Sequence, residues 1–508
     1  VLDSSLFALW AVALACGAVF GAAFTRAGCA LARRVGLVDA PDGRRKVQIR
    51  PVPVVGGVAV LAAALAALAA TAVLLPEVAA ALTADAHKSA ALLAAAVLIT
   101  AVGVIDDRFN LRARYKLLGQ FLAILVLVVP GHFLIEHLGV LGWVIDLGPL
   151  AGPVTVVWLL ACVNALNLID GMDGLLGIVG LIALLTLAVM AVMVGHLLAA
   201  AVALALAGAV LGFLRYNLPP AKVYMGDAGA MLIGLVIGAL AVTAKLKGTA
   251  TVALGAPVAL LVLPMLDTTA AVIRRKLTGR GLATTDRGHI HHILQKHGLP
   301  VRKVLALVAA LGLTASAGAL ASTALHNDLY ALVAAGGVVA TLLATRLFGT
   351  AELRLVGKRL AAAVRGLRPA APGGSGWELA VRLQGTADWD EVWQDLTGCA
   401  GPMNLQTVYL DVNAPALQED YHARWDRAGP GFPETHLWRV EIPLFGNGQP
   451  IGRLLISGGR DDEPIADKLL TVAKIIETAE VRAAEVTARA PATPKAAPAQ
   501  QPDTAPVG

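Results

Sequence analysis

Charge is scarce in this chain. Only 15% of its 508 residues are Asp, Glu, Lys or Arg, where a soluble protein carries about 25%. That deficit excludes a wholly soluble molecule. With 57% hydrophobic residues and a mean hydropathy of +0.71, the chain reads as a polytopic membrane protein with a smaller soluble part. Cysteine is nearly absent. Cys16, Cys29, Cys162 and Cys399 form no pair at metal-ligand spacing, so they read as reduced and structural rather than as a disulfide framework. Aromatics make up 5% of the chain and do not alternate with a basic stripe, which excludes nucleic acid as a partner. A cleaved leader is not expected. Asp3 precedes the first apolar stretch and Arg26, Arg33 and Arg34 follow it, the reverse of a signal peptide's charge order.

What the chain has is apolar runs of spanning length. About 20 apolar residues cross the hydrocarbon core. Runs near 5–25, 54–75, 89–105, 117–136, 153–169, 174–194, 196–214, 228–244, 250–272, 303–323 and 328–348 predict an all-α polytopic bundle of about eleven transmembrane helices. Alternating loops then place Arg44, Arg45, Lys46, Arg112, Arg114, Lys116, Arg274, Arg275 and Lys276 on one side. The positive-inside rule makes that side cytoplasmic and puts the N-terminus outside. The basic loops suit anionic lipid headgroups or phosphorylated substrates.

The carboxylates fall where apolar runs end, and all on that same side. A charge at a helix centre in the bilayer costs roughly 2.5–3.5 kcal/mol, so repeated ones need a function. Asp106 and Asp107 end the third run, close to Arg112 and Lys116. They read either as a solvated helix end or as groups that orient a metal, a phosphate or both. In NALNLIDGMDGL, Asn164, Asn167 and Asp170 recur every three residues and share one helical face, and Asp173 follows. Such a stripe facing lipid is costly, so it should face a polar cavity, unless it is an interhelical hydrogen-bond network. Asp227 lies between glycines in VYMGDAG. It reads as a helix cap or as a group close to a ligand. Asp267 reads as an ordinary helix terminus or a cavity residue. Asp286-Arg287-Gly288-His289-Ile290-His291-His292 lies in a basic loop, where phosphate contact through imidazole and guanidinium donors is favoured over zinc. Lys46 in the first basic loop is a further phosphate-contact candidate.

Together these motifs, over about residues 25–345, resemble the polyprenyl-phosphate N-acetylhexosamine-1-phosphate transferase family. The resemblance rests on Asp106-Asp107, on the Asn-x-x-Asn-x-x-Asp-Gly-x-Asp-Gly run from Asn164, on Gly226-Asp227 with Gly229, and on the Asp-Arg-x-His-Ile-His-His run from Asp286. The histidine motif looks like the branch that starts O-antigen, teichoic acid and related envelope glycans. The resemblance implies transfer of a sugar 1-phosphate from a UDP-N-acetylhexosamine, usually UDP-GlcNAc, to a polyprenyl phosphate such as undecaprenyl phosphate, with release of UMP and a requirement for Mg²⁺ or Mn²⁺. It implies metal ligation by Asp227 and Asp170. Asp106, Asp107, Asp170 and Asp173 would be catalytic. Lys46, Lys116, Asn164, Asn167, Arg287, His289, His291 and His292 would bind substrate. Direct attack by the lipid phosphate is favoured over a covalent aspartyl intermediate, because a phosphate monoester with a second pKa of about 6 is already largely ionised. The chain departs from the family pattern at Val47 and Gln48 after Lys46, at Asn110 in the aspartate motif and at Ala230 after Gly229. A transporter and a silent lipid-binding scaffold are the readings from other classes, and homodimerisation stays open.

The sequence divides into a transmembrane domain over 1–350, an amphipathic stretch and linker over 351–376, a cytoplasmic α+β domain over 377–486 and a disordered tail over 487–508. The α+β reading rests on the strand-like runs TVYLDV, HLWRVEIPLF and PIGRLLISGG. The last strands and helix of that domain resemble a GAF-type sensory domain. It carries no nucleophile or metal motif, so binding, dimerisation or regulation is expected of it.

Overall fold

The computed structural model describes residues 4–39, 51–140, 143–243, 252–253, 255–277, 288–345, 347–348, 353, 357, 377–384, 389–401, 403–414, 419–427, 437–446, 449–459 and a few positions between 470 and 481. The chain divides into two compact units, Val1–Arg354 and Leu355–Gly508. Lys46, Arg287, the linker at 369–376, the tail from 487 and nearly all of the expected amphipathic stretch lie outside the described residues.

The first unit is a helical bundle. Its first nine helices are α1 (Ser4–Val35), α2 (Gly56–Leu74), α3 (Pro76–Ala84), α4 (Ala86–Phe109), α5 (Ala113–Val128), α6 (Ala151–Ile169), α7 (Leu175–Met193), α8 (Leu197–Asn217) and α9 (Gly226–Thr243). They are followed by α10 (Gly255–Leu260), α11 (Val262–Leu277), α12 (Ile290–Lys296), α13 (Val301–Leu325) and α14 (Leu329–Ala344). A helix that is apolar all round must be buried on all sides. That helix is α9, in which every residue from Ala228 to Val242 is buried. It packs against α2, α4 and α6.

Among the described residues, eight helices are long and apolar enough to cross a membrane, three fewer than expected. The expected span at 117–136 is the 16-residue α5, after which the chain turns into a hairpin of β3 (His137–Val140) and β4 (Trp143–Asp146). The expected last span is the 16-residue α14. Sixteen residues rise about 24 Å, short of a hydrocarbon core of about 30 Å. The expected span at 250–272 is two pieces, α10 and α11, broken at Leu261. Pro264 has no N–H to give to the preceding turn, which is enough to interrupt a helix there.

Two small pairings fasten the loops of this unit. Strand β1 (Val38–Asp39) runs antiparallel to β2 (Val52–Pro53), and β5 (Val252–Ala253) adds in parallel to β3.

The second unit holds a five-stranded antiparallel sheet of β6 (Trp377–Gln384), β7 (Leu405–Ala414), β8 (Glu419–Asp426), β9 (Leu437–Gly446) and β10 (Gln449–Gly459). The strand order is β6-β8-β7-β10-β9. Helix α15 (Trp389–Ala400) contributes Trp389, Trp393 and Leu396 to a core shared with Val408, Leu410, Tyr421 and Leu454. The three strand-like runs fall in β7, β9 and β10. Strands β6 and β8 carry more charge, as in WELAVRLQ and EDYHARWD, and their β character comes from pairing with neighbours rather than from composition.

Candidate active site

Four helix ends meet at one end of the bundle. The C-terminus of α4 brings Asp106 and Asp107, the first turn of α5 brings Lys116, the C-terminus of α6 brings Asn167 and Asp170, and the N-terminus of α9 brings Asp227. The centre of the arrangement is the Lys116 ammonium. It lies 2.7 Å from Asp227 Oδ2 and 2.9 Å from Asp106 Oδ2, and it donates to Asn167 Oδ1 at 3.0 Å. Its three donors are thus all engaged. Asn167 Nδ2 donates in turn to Asp227 Oδ1 at 2.6 Å. Asp227 is held by both its oxygens, and Asn167 fixes the orientation of both partners.

Asp107 has a different task. It accepts the N–H of Asp227 at 2.8 Å and that of Ala228 at 3.3 Å, so it caps the N-terminus of α9, where unpaired N–H groups and the helix dipole favour an anion. The expected cap at this helix is therefore supplied by Asp107, and Asp227 is left to face the cluster. The close approach depends on glycine. A Cβ at Gly103 would collide with the backbone of Ala228, and one at Gly57 would collide with the backbone of Gly229. Gly226 has φ of +72°, and a Cβ there would lie 2.5 Å from Asp107 Oδ2. The N–H groups of Gly56 and Gly57 donate to the carbonyls of Tyr224 and Met225 at 3.0 Å each, tying the start of α2 to the loop before Asp227.

Asp170 stands just beyond α6 and, among the described residues, carries no hydrogen bond or ion pair. Burial, followed by the negative charges of Asp227, Asp107 and Asp173, pushes its carboxyl up to about 8. Among the described residues the cluster holds more carboxylate than the single ammonium of Lys116 balances. That surplus is the property a divalent cation would satisfy, and the donors are all oxygen, as Mg²⁺ requires. No three His, Cys, Asp or Glu side chains converge on one point among the described residues. The residues therefore fit a cation that takes one or two protein carboxylates and completes its shell with water and phosphate oxygens; they do not form a closed cage.

Two expected site residues have other tasks. Asn164 exchanges hydrogen bonds with Gln120, donating from Nδ2 to Oε1 at 2.9 Å, and also donates to the Leu160 carbonyl at 2.8 Å. It ties α6 to α5 and makes no hydrogen bond to Lys116 or Asp227. Asp173 accepts the N–H of Ala221 at 2.9 Å. That bond fastens the 218–225 loop. Asn217, which the motif reading did not single out, completes that fastening. It accepts from Gly174 N–H at 3.0 Å and donates to the Val223 carbonyl at 2.8 Å.

The histidine loop packs on the same region. A Cβ at Gly171 would collide with the His291 ring, so the turn between Asp170 and Asp173 lies directly against it. His289 Nδ1 is 2.8 Å from Asp267 Oδ2, and Asp267 Oδ1 accepts the N–H of Ile290 at 2.8 Å. Asp267 and His289 are 1% and 6% exposed. Asp267 is thus a buried clamp on the histidine motif, and the reading of an ordinary helix terminus is set aside. Sequence spacing offered little signal for it, since 22 residues separate the partners. His291 is also buried, and among the described residues neither ring nitrogen has a hydrogen-bond partner. Its ring lies between His289, stacked at 6.1 Å, and His292 at 4.2 Å. Burial, then the neighbouring His292 and His289, lower its pKa to about 2, so it is neutral at any working pH. His292 is exposed. Arg274, fully buried on α11, lies under Gly288, where a Cβ would meet its guanidinium at 2.5 Å.

The profile described as glycosyl transferase family 4 matches residues 89–245, which hold Asp106, Asp107, Lys116, Asn167, Asp170 and Asp227. The probable undecaprenyl-phosphate N-acetylglucosaminyl 1-phosphate transferase of Bacillus subtilis (strain 168) is 33% identical over 292 residues, 57% of this chain and 78% of its own. The decaprenyl-phosphate N-acetylglucosaminephosphotransferase of Mycobacterium tuberculosis (strain ATCC 25618 / H37Rv) is 34% identical over 300 residues, 55% of this chain and 74% of its own. The undecaprenyl-phosphate alpha-N-acetylglucosaminyl 1-phosphate transferase of Escherichia coli (strain K12) is 30% identical over 298 residues, with shares of 57% and 78%.

Proposed function

Because this chain belongs to glycosyl transferase family 4, we propose that it moves N-acetylhexosamine 1-phosphate, in first place GlcNAc 1-phosphate, from a UDP-sugar to a polyprenyl phosphate. The chain is a multi-pass membrane protein and a sugar-phosphate transferase. The observation that carries the finer reading is the Lys116 ammonium held by Asp106, Asp227 and Asn167 beside the uncompensated Asp170. A positive point charge set among surplus carboxylates at a membrane-facing helix end suits a diphosphate accompanied by a divalent cation.

In the reaction, an oxygen of the lipid phosphate attacks the phosphorus that bears the sugar. The bond from that phosphorus to the bridging oxygen breaks, and UMP leaves with the electron pair. The acceptor monoester is already largely ionised near neutral pH, so no strong base is required and direct attack is favoured. The chain's task is positioning and neutralisation. Lys116 contributes positive charge to the site while its three donors hold Asp106, Asp227 and Asn167. Asn167 holds Asp227 at one angle, and Asp107 locks the α9 end on which Asp227 rides. Asp227 and Asp170 would hold a Mg²⁺ or Mn²⁺, which would supply charge neutralisation at the diphosphate. His289, His292 and, from outside the described residues, Arg287 and Lys46 are the groups for the nucleotide-sugar phosphates or the hexosamine. The excess of Lys and Arg in the loops at this end favours a cytoplasmic site with the N-terminus outside.

The test is UMP release by purified protein given Mg²⁺, undecaprenyl phosphate and a panel of UDP-sugars. Lipid-dependent UMP from one donor is expected. Folded protein that releases none from any donor would overturn the reading.

A further inference from the structure

A cavity of about 500 Å³ opens at the opposite end of the bundle from the carboxylates, within the range of ligand pockets. It lies among α2, α3, α4, α8 and α9. Its walls are hydrocarbon, including Leu61, Leu68, Leu92, Phe133, Leu206 and Val236. Its polar groups are confined to one margin, formed by Asp85, Lys88, Ser89, His132 and His196. The distance from the active site follows from helix rise. Lys88 precedes Asp106 by 18 residues on α4, which is about 27 Å along the axis. On α9 the walls run from Thr243 back to Leu232, only five residues after Asp227. The cavity therefore enters from the far membrane face and reaches past the middle of the bundle.

Left empty, an apolar void of about 500 Å³ would cost about 12 kcal/mol at roughly 24 cal/mol per Å³, comparable with the net stability of an ordinary domain. Water does not fill it either, since the walls lack the two to four polar partners that a buried water needs. Hydrocarbon is the filling that matches. The margin adds a preference for the head of the molecule. The Lys88 ammonium is half-exposed and pairs with Asp85 only at 3.7 Å, and His132 and His196 line the same cavity. That set suits a phosphate. The acceptor lipid of the transfer reaction does not meet the requirement, because its phosphate must lie at the other end of α4.

We propose that this cavity is a phospholipid site. One acyl chain enters between α2, α4, α8 and α9 from the face opposite the carboxylate cluster, and its phosphate rests at Lys88, His132 and His196. The inference rests on the helices crossing a bilayer and not on which sugar or acceptor is used.

The test uses the full chain in nanodiscs of phosphatidylglycerol that carries a photoactivatable diazirine on one acyl chain, with labelled residues mapped after irradiation. Leu232, Val236 and Leu240 are 1%, 5% and 6% exposed, so surrounding bilayer cannot reach them and only a chain inside the cavity can label them. Val157, 66% exposed, reports ordinary bilayer contact. Labelling of the α9 positions is expected. It should fall about tenfold in both Ala64→Trp and Ala199→Trp, as for a site that loses one decade of affinity, while Val157 labelling and UMP release persist. Two substitutions on different helices guard against a single folding failure. Label at Val157 without label on α9, or α9 label indifferent to both substitutions, would overturn the proposal. So would displacement of the α9 label by polyprenyl phosphate added at equal mole fraction, which would assign the cavity to the acceptor lipid instead.

Discussion

Asp267 grips the histidine motif at two points, taking His289 Nδ1 on one oxygen and the Ile290 N–H on the other, both at 2.8 Å. A carboxylate on Nδ1 places the ring's remaining lone pair or proton on Nε2 and fixes the plane of the imidazole. His289 is thereby a pre-oriented ring, not a mobile surface histidine.

Substitution of Asp267 by Asn keeps the shape and removes the charge. A hydrogen bond to a charged group is worth roughly 1.5–3 kcal/mol, so kcat/KM for UMP release should fall about ten- to hundredfold. The fall should appear in kcat/KM with the melting temperature little changed. An unchanged kcat/KM with a lowered melting temperature would mean that Asp267 only supports the fold.

Lys116 is the one cation that the structure sets between Asp106 and Asp227. Lys116→Gln leaves the buried Asp106 carboxylate facing the half-buried Asp227 one, and removal of one partner from a fully buried pair costs about 3–5 kcal/mol, an upper bound here. Transfer should be lost and the thermal midpoint lowered. Arginine should not restore activity, because its planar fork cannot occupy the point at which Asp106, Asp227 and Asn167 converge. Recovery in Lys116→Arg would contradict that geometry.

Gly103 tests the approach of α4 to α9. Ala at this position forces the backbone at Ala228 away, with overpacking of about 1–3 kcal/mol expected. Asp107 would then lose its grip on the N–H groups of Asp227 and Ala228. Gly103→Ala should abolish transfer, while Gly336→Ala, where a Cβ meets nothing within 4 Å, should be silent. Equal activity of the two variants would rule out a tight α4–α9 contact.

His291 predicts a pH dependence of stability. Its pKa is lowered to about 2 in the folded chain and is about 6.5 when unfolded. Between these values the unfolded chain binds a proton that the folded one refuses, so stability rises with pH across that window and falls as pH drops below about 6.5. The slope for one such group approaches 1.4 kcal/mol per pH unit. Thermal unfolding of the solubilised protein at pH 7.5, 6.0 and 5.0 should show the decline, and His291→Phe should flatten it. A slope unaltered in His291→Phe would place the titrating group elsewhere.

Part of this architecture is legible along the chain. Runs such as LLGIVGLIALLTLAVMAVM and GDAGAMLIGLVIGALAVT are apolar on every side, and nothing but burial or lipid can accept them. Asp106, Asp107, Asn167, Asp170 and Asp227 stand out because polar groups at the ends of such runs are costly without a task. Other features could not be read there. Asn164 and Asn167 carry the same amide, and spacing puts them on one stripe. One helical turn decides that Asn167 meets Lys116 and Asp227 while Asn164 meets Gln120. The short α5 and the break at Leu261 were hidden in hydrophobic runs that look continuous, since hydropathy does not register where the backbone leaves its helix.

Local chemistry, then, is settled by the sequence alone. It decides which segments avoid water and which end of the bundle holds carboxylate and ammonium, because these depend on side-chain type and on a period of 3.6 residues. Only the tertiary structure decides the partnerships across distance. The 111 residues between Lys116 and Asp227, the 120 between Asp107 and Asp227 and the 22 between Asp267 and His289 close through helix packing. Those distances are set by glycines such as Gly57 and Gly103 at the crossings, and no periodicity along the chain encodes which crossing each glycine will serve.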